Sequence, residues 1–155
     1  MDYQEFTNPI INGNINAIKI AIDNGYDINE PDEYGFVPLH RACANNQPNI
    51  VSLILESGSK LCIRGTDDWT ALHLTAVSGA IDCIQLLANA GIDLNAQDKN
   101  GCTALHLSVT SRNPDVAKKL IEVGCNKRIL NNAGHTPLLH AQAKGRTEFY
   151  NVLKF

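Results

Sequence analysis

Asp68-Trp69-Thr70-Ala71-Leu72-His73 and, thirty-three residues on, Gly101-Cys102-Thr103-Ala104-Leu105-His106 are versions of one hexapeptide. Working outward, the same pattern precedes them as Gly35-Phe36-Val37-Pro38-Leu39-His40 and follows them as Gly134-His135-Thr136-Pro137-Leu138. Other ladders keep the same interval: Gly25, Gly58, Gly91 and Gly124; Leu39, Leu72, Leu105 and Leu138; His40, His73 and His106. Independent residue types sharing one period identify a chain built from a repeated supersecondary unit.

Elementary preferences say what the unit is. Each opens on a turn rich in Gly and Asp, where backbone angles are needed that other residues avoid. Pro38 and Pro137 suit a first helical turn, where a missing N–H costs nothing, and Thr136 is a good cap. A short, small-sided first helix follows, as in Leu72-His73-Leu74-Thr75-Ala76-Val77. A second helix then carries apolar residues at helical spacing: Ile50, Val51, Leu53, Ile54; Ile81, Ile84, Leu86, Leu87; Val116, Ala117, Leu120, Ile121. Pro48 and Pro114 start two of these helices, and the glycine ladder ends them. One such pair cannot bury its apolar face alone, so the units must stack.

The period, the Thr-Pro-Leu-His-like signature and the endings Gly25-Tyr26-Asp27-Ile28-Asn29 and Gly91-Ile92-Asp93-Leu94-Asn95 resemble the ankyrin repeat over essentially the whole chain. The resemblance implies an all-α fold: a solenoid of helix-turn-helix pairs linked by β-hairpin-like loops, about five repeats in a single domain. Residues 1–33 are expected to form an N-terminal cap, with a helix face of Ile15, Ile18, Ile20 and Ile22; residues 34–66, 67–99 and 100–132 are full repeats. Residues 133–155 form a shortened C-terminal cap ending in Phe149-Tyr150-Asn151-Val152-Leu153-Lys154-Phe155. Divergence at both ends is what capping predicts, which suits a complete, monomeric array. Some positions depart from the family pattern. Ala71 and Ala104 replace proline, Val37 replaces threonine, Asp68 replaces the hairpin glycine and Leu139 replaces a fourth histidine. Lys119, where an apolar residue is usual, is expected to mark a looser fourth repeat, its stem along apolar neighbours and its amine in water.

Composition narrows the function classes. The hydrophobic fraction of 44% and charged fraction of 19% are ordinary for a globular domain, and 155 residues suffice for one core. No stretch approaches the roughly 18 apolar residues of a membrane span, and Met1-Asp2-Tyr3-Gln4-Glu5-Phe6 has no signal-peptide character. Five scattered cysteines without a Cys-x-x-Cys pair argue against a disulfide framework or zinc site and point to a reducing, cytoplasmic setting. The net charge of −3 is uneven: ten acids face four bases in residues 1–77, and six face nine in residues 78–155. An acidic chain with dispersed bases is not the footprint of a nucleic-acid binder.

A search for chemistry returns little. Stacked helices lie about 8–10 Å apart, too far for one zinc with bonds of about 2 Å to bridge rungs of the histidine ladder. The resemblance implies instead that each histidine hydrogen-bonds backbone near the hairpin. Cys43 and Cys83 fall at core-facing positions; Cys102, on a hairpin, is expected to be accessible, but His106 beside it belongs to the repeat. No phosphate-binding glycine loop, zinc-protease motif or calcium loop occurs, so no cofactor, metal or catalytic residue is expected.

What the resemblance implies is recognition of another protein: an adaptor, scaffold or inhibitor, or alternatively a regulatory subunit of an enzyme or a pathogen effector. In the family, hairpin tips and exposed first-helix residues form a concave binding surface. Carried over, the contact candidates are Glu33, Tyr34, Phe36, Arg41, Asp67, Asp68, Trp69, Val77, Lys99, Asn100, Cys102 and His135. Tyr34, Phe36 and Trp69 would make an aromatic centre, rimmed by Asp32, Glu33, Asp67 and Asp68, that takes a basic or apolar residue across the second and third repeats. The resemblance also makes Asn95, in Leu94-Asn95-Ala96, a candidate for asparaginyl hydroxylation.

Overall fold

Each loop that the repeats place between helices turns the chain by about half a revolution, so successive helices run back and forth and stack in two layers. The computed structural model describes residues 3–154, and Phe155 of the expected last helix lies outside them. The inner layer is α1 (Tyr3–Ile11), α3 (Pro38–Ala44), α5 (Ala71–Ser78), α7 (Ala104–Leu107, continued by a 3-10 turn over Ser108–Ser111) and α9 (Pro137–Ala143). The outer layer is α2 (Ile15–Asp23), α4 (Pro48–Glu56), α6 (Ile81–Asn89), α8 (Pro114–Glu122) and the short α10 (Tyr150–Leu153). Each inner helix packs on the next inner one and each outer helix on the next outer one, so the fold is a helical solenoid with no strand among the described residues.

The helices begin where the sequence marks them. Pro38, Pro48, Pro114 and Pro137 are first-turn residues, and the Thr70 and Thr136 hydroxyls accept from the N–H groups of His73 and Leu139. Between inner and outer helices runs a second left-handed ladder: Gly13 (φ 69°), Asn46 (50°), Gly79 (78°), Arg112 (58°) and Gly145 (67°). The tight helix-to-helix turn imposes that conformation whatever the residue, and at Arg112 an L side chain carries the steric cost. Small inner-helix residues (Ala42, Cys43, Ala71, Ala76, Ala104) let the layers approach, and Ile50, Ile54, Ile84, Leu87, Val116 and Leu120 fill the space behind them.

Two local expectations are corrected, and the N-terminal cap is defined more closely. The N-terminal unit is a full helix pair, because Phe6 and Ile10 on α1 are buried and Phe6 stacks on Tyr26 with centroids 3.9 Å apart. On α2, Ile18 and Ala21 point inward while Ile20 is 60% exposed, so the inward face is narrower than the run of isoleucines implies. In the fourth repeat α8 is regular: the Lys119 amine donates to Gln85 Oε1 at 2.7 Å and pairs with Glu122 at 3.9 Å. The irregularity sits in α7, where Ser108 and Ser111 hydroxyls bond nearby carbonyls and the chain tightens to a 3-10 turn.

Candidate functional site

The loops joining one helix pair to the next stand in a row and are tied tip to tip. Thr66 N–H donates to Tyr34 O at 2.8 Å, Lys99 N–H to Asp67 O at 2.9 Å and Asn132 N–H to Asn100 O at 3.0 Å. Within a tip, a side-chain acceptor closes the turn: Asp98 Oδ1 takes the N–H groups of Asn100 and Cys102, and Asn131 Oδ1 those of Ala133 and His135. Asp32 does the same for Tyr34 and Phe36.

The ladder of closing acceptors breaks at Gly65. A β-carbon there would overlap the Phe36 ring, coming within 2.9 Å of its Cγ. Phe36 therefore fills the place that an aspartate or asparagine side chain holds in the other tips. This tip turns instead on two consecutive left-handed residues, Asp67 (φ 59°) and Asp68 (φ 62°), a conformation aspartate tolerates better than most.

Below the tips the histidines are structural. His73 Nδ1 accepts from Thr70 N–H at 3.1 Å and lies 2.8 Å from its hydroxyl, while Nε2 faces the Cys102 carbonyl of the next repeat at 3.0 Å. His106 repeats the arrangement with Thr103 and His135 O. His40 Nδ1 accepts from Val37 N–H, and its Nε2 faces the Trp69 backbone without closing a bond of normal geometry. These contacts require the neutral ring with its proton on Nε2. Burial pushes the His40 ring down to about 4, and burial likewise lowers His73, His106 and His140.

The candidate contact residues divide into two groups. Glu33, Tyr34, Asp67, Asp68, Lys99 and Asn100 are exposed, Tyr34 by 55%. Trp69, Val77 and His135 are half-buried. Two expectations fail. Cys102 is only 6% exposed, because the tip folds it back beneath Asp98 and Asn131, and burial raises its thiol. The acidic rim is reduced: the Asp32 side chain is 7% exposed and ion-paired with Arg41, and the exposed Asp67 pairs with Lys99 at 3.5 Å, while Glu33 and Asp68 stay exposed. Burial alone would raise the Asp32 carboxyl, but the Arg41 guanidinium and the Phe36 and Tyr34 N–H groups outweigh it and hold it below its usual value. Arg41 in turn lies 5.5 Å from the Phe36 ring centre, so Phe36, Arg41 and Asp32 are committed to one another.

The open surface lies further along. Trp69 stacks on His73, with centroids 6.5 Å apart, and borders an open groove of about 680 Å³ that runs across the third, fourth and fifth units. Its floor is Cys102, Leu107 and Asn131; its far wall is His135, His140 and Lys144. His140, Ala143 and Lys144 were not singled out from the sequence, yet the register locates them. Ala44-Asn45, Val77-Ser78 and Thr110-Ser111 continue to Ala143-Lys144, and Arg41 continues through Leu107 to His140. Asn95 is an exposed residue of a different ladder, and its Oδ1 accepts from Asn126 N–H at 2.8 Å as that of Asn29 does from Lys60 N–H. Among the described residues no three His, Cys, Asp or Glu side chains gather as a metal site would require, and no helix is long and apolar enough to cross a membrane.

Comparison with known proteins agrees with this architecture. The family description "Ankyrin repeats (3 copies)" matches residues 72–154, and "Ankyrin repeats (many copies)" matches residues 10–55. The chain is 36% identical over 50 residues to human protein phosphatase 1 regulatory subunit 27, covering 32% of each chain. It is 36% identical over 58 residues to a putative ankyrin repeat protein of Rickettsia bellii (37% of this chain, 60% of that one). To the human scaffold protein ILK it is 33% identical over 59 residues, 37% of this chain and 13% of that one. The matches thus span about a third of the phosphatase regulatory subunit and a smaller part of the scaffold protein.

Proposed function

The chain belongs to the ankyrin-repeat family, and on that premise we propose that it acts by binding a protein partner in the groove formed by its tips and inner helices. Ankyrin repeats are protein-interaction modules, and two of the similar proteins are a phosphatase regulatory subunit and a scaffold protein. The observation that carries the proposal is the groove of about 680 Å³ from Trp69 to Lys144, which presents the Trp69 ring, the apolar side chain of Leu107 and polar side chains along its edge. Interfaces draw their energy from this combination of a buried aromatic anchor and a polar rim. The tip-to-tip hydrogen bonds hold the surface in place before a partner arrives, which lowers the ordering cost of binding.

We read the chain as a binding module without catalysis of its own, an adaptor, scaffold or inhibitor. The resemblance to a phosphatase regulatory subunit keeps regulation of an enzyme open as the form that binding takes. A pull-down with wild type, Thr110→Arg and Lys118→Glu is the test. Thr110 is exposed in the groove, so arginine there obstructs it; Lys118 is exposed on outer helix α8 and serves as control. A partner retained by wild type and Lys118→Glu but lost by Thr110→Arg supports groove binding. A partner retained by all three folded proteins places the interface elsewhere.

A further inference from the structure

The exposed charge in the groove is opposite in sign to the net charge of the chain. The net charge is −3, yet the exposed charges at the far wall of the groove are positive. Lys144 lines the groove, and Arg146 lines the adjoining hollow with Val109, Thr110 and His140. Among the described residues neither cation has a carboxylate partner, whereas Arg41, Lys99 and Lys119 each do. The one acid lining the groove, Asp98, is 7% exposed, and its Oδ1 is taken by two backbone N–H groups, each at 2.8 Å. Trp69 offers an aromatic face to the same groove, which the apolar side chain of Leu107 also lines.

We propose that the groove selects an extended segment of a partner protein that places an apolar side chain on Trp69 and acidic side chains on Lys144 and Arg146. This rests on the groove-binding reading above and adds the chemistry of the partner. Two steps of about 8–10 Å separate α5 from α9. An extended chain advances roughly 3.3 Å per residue, so the apolar and acidic positions stand about five or six residues apart. Lys144 and Arg146 supply the charge complementarity, and the one acid that lines the groove, Asp98, is buried with its Oδ1 engaged by backbone N–H groups. Burial first, and then the neighbouring His106, Lys144 and His135, lower the His140 ring against the opposing pull of Asp98, and a bound carboxylate would raise it.

The test is to pan a displayed library of random peptides, each roughly a dozen residues long so that it spans the groove, on the whole immobilised chain, and then to measure affinities of labelled synthetic winners. Enriched peptides should carry an aromatic or aliphatic residue with Asp or Glu about five or six positions away. Lys144→Gln/Arg146→Gln, both surface changes checked by circular dichroism, should weaken the best peptide about tenfold and flatten its salt dependence. The His140 titration midpoint, followed by NMR, should rise when that peptide is bound. Enriched peptides without an acidic excess that still depend on Trp69 would overturn the acidic partner while leaving groove binding intact. Peptides indifferent to both Trp69→Ala and Thr110→Arg would overturn groove binding itself. A library that yields no winner, or tighter binding of a labelled single-stranded oligonucleotide, counts against the proposal.

Discussion

Gly65→Ala adds one methyl group at the place where the Phe36 ring lies. Gly65 has φ −89° and ψ −163°, angles that alanine adopts freely, so the substitution carries no backbone penalty. In a roomy site it would stabilise by about 0.4–1 kcal/mol through the unfolded chain. Here the new β-carbon would overlap the ring, with Phe36 Cγ at 2.9 Å against an ordinary contact near 3.5–4 Å. The ring has little room to yield, since His40 lies 5.4 Å from its centre and the Arg41 guanidinium 5.5 Å. Overpacking of this kind costs about 1–3 kcal/mol. Gly65→Ala alone should therefore destabilise by about 1–2 kcal/mol, and in a Phe36→Ala background it should be neutral or stabilising by about 0.5 kcal/mol. Urea denaturation of the four proteins, followed by circular dichroism, gives the coupling energy, expected at about 1.5–2.5 kcal/mol. The same loss in both backgrounds, or none in the wild type, refutes the idea that Phe36 occupies the place of the missing aspartate or asparagine.

Other outcomes follow from the same geometry. Arg112→Gly, at φ 58°, should stabilise by about 0.5–1 kcal/mol in the same denaturation assay, because an L side chain in that conformation costs roughly 1–2 kcal/mol and glycine returns part of this as chain entropy. Stability should be level above about pH 7.5 and fall as the pH drops from 6.5 toward 4: the unfolded chain takes up protons at its histidines while the folded His40 resists them until about 4, a loss on the order of 3 kcal/mol at the lower end from that residue alone. His73→Leu, which copies the residue at position 139, should cost about 2–4 kcal/mol by leaving Thr70 N–H and Cys102 O without their partner. Native protein should expose one fast-reacting thiol, Cys62, to a thiol reagent, with Cys43, Cys83, Cys102 and Cys125 reacting only after denaturation; burial pushes Cys83 up to about 11 and Cys125 up to about 12.

Legibility in the sequence followed recurrence. A backbone demand that returns every 33 residues leaves the same residue behind each time, and so the inner and outer helices of the middle units and the role of the histidines were readable. Features that occur once were not. Helix α1 lacks a signature hexapeptide, so only the burial of Phe6 and Ile10 reveals it. The exchange between Phe36 and Gly65 joins positions 29 apart in different units, a pairing no single repeat displays. The acidic rim looked free because sequence does not show that Asp32 turns toward Arg41 and its own tip. Cys102 sits next to a glycine turn position, but its side chain falls on the inward side of the tip. Of the aromatic centre, Trp69 keeps an open face and Phe36 does not, which moves the candidate surface toward the C-terminal units.

Hydrogen–deuterium exchange of the chain, alone and with the partner captured by wild type, is the most searching check on groove binding. Added protection is expected over residues 66–70, 99–110 and 131–146, with outer helices α4, α6 and α8 unchanged. Protection concentrated on those outer helices, with the tips unaffected, would contradict it.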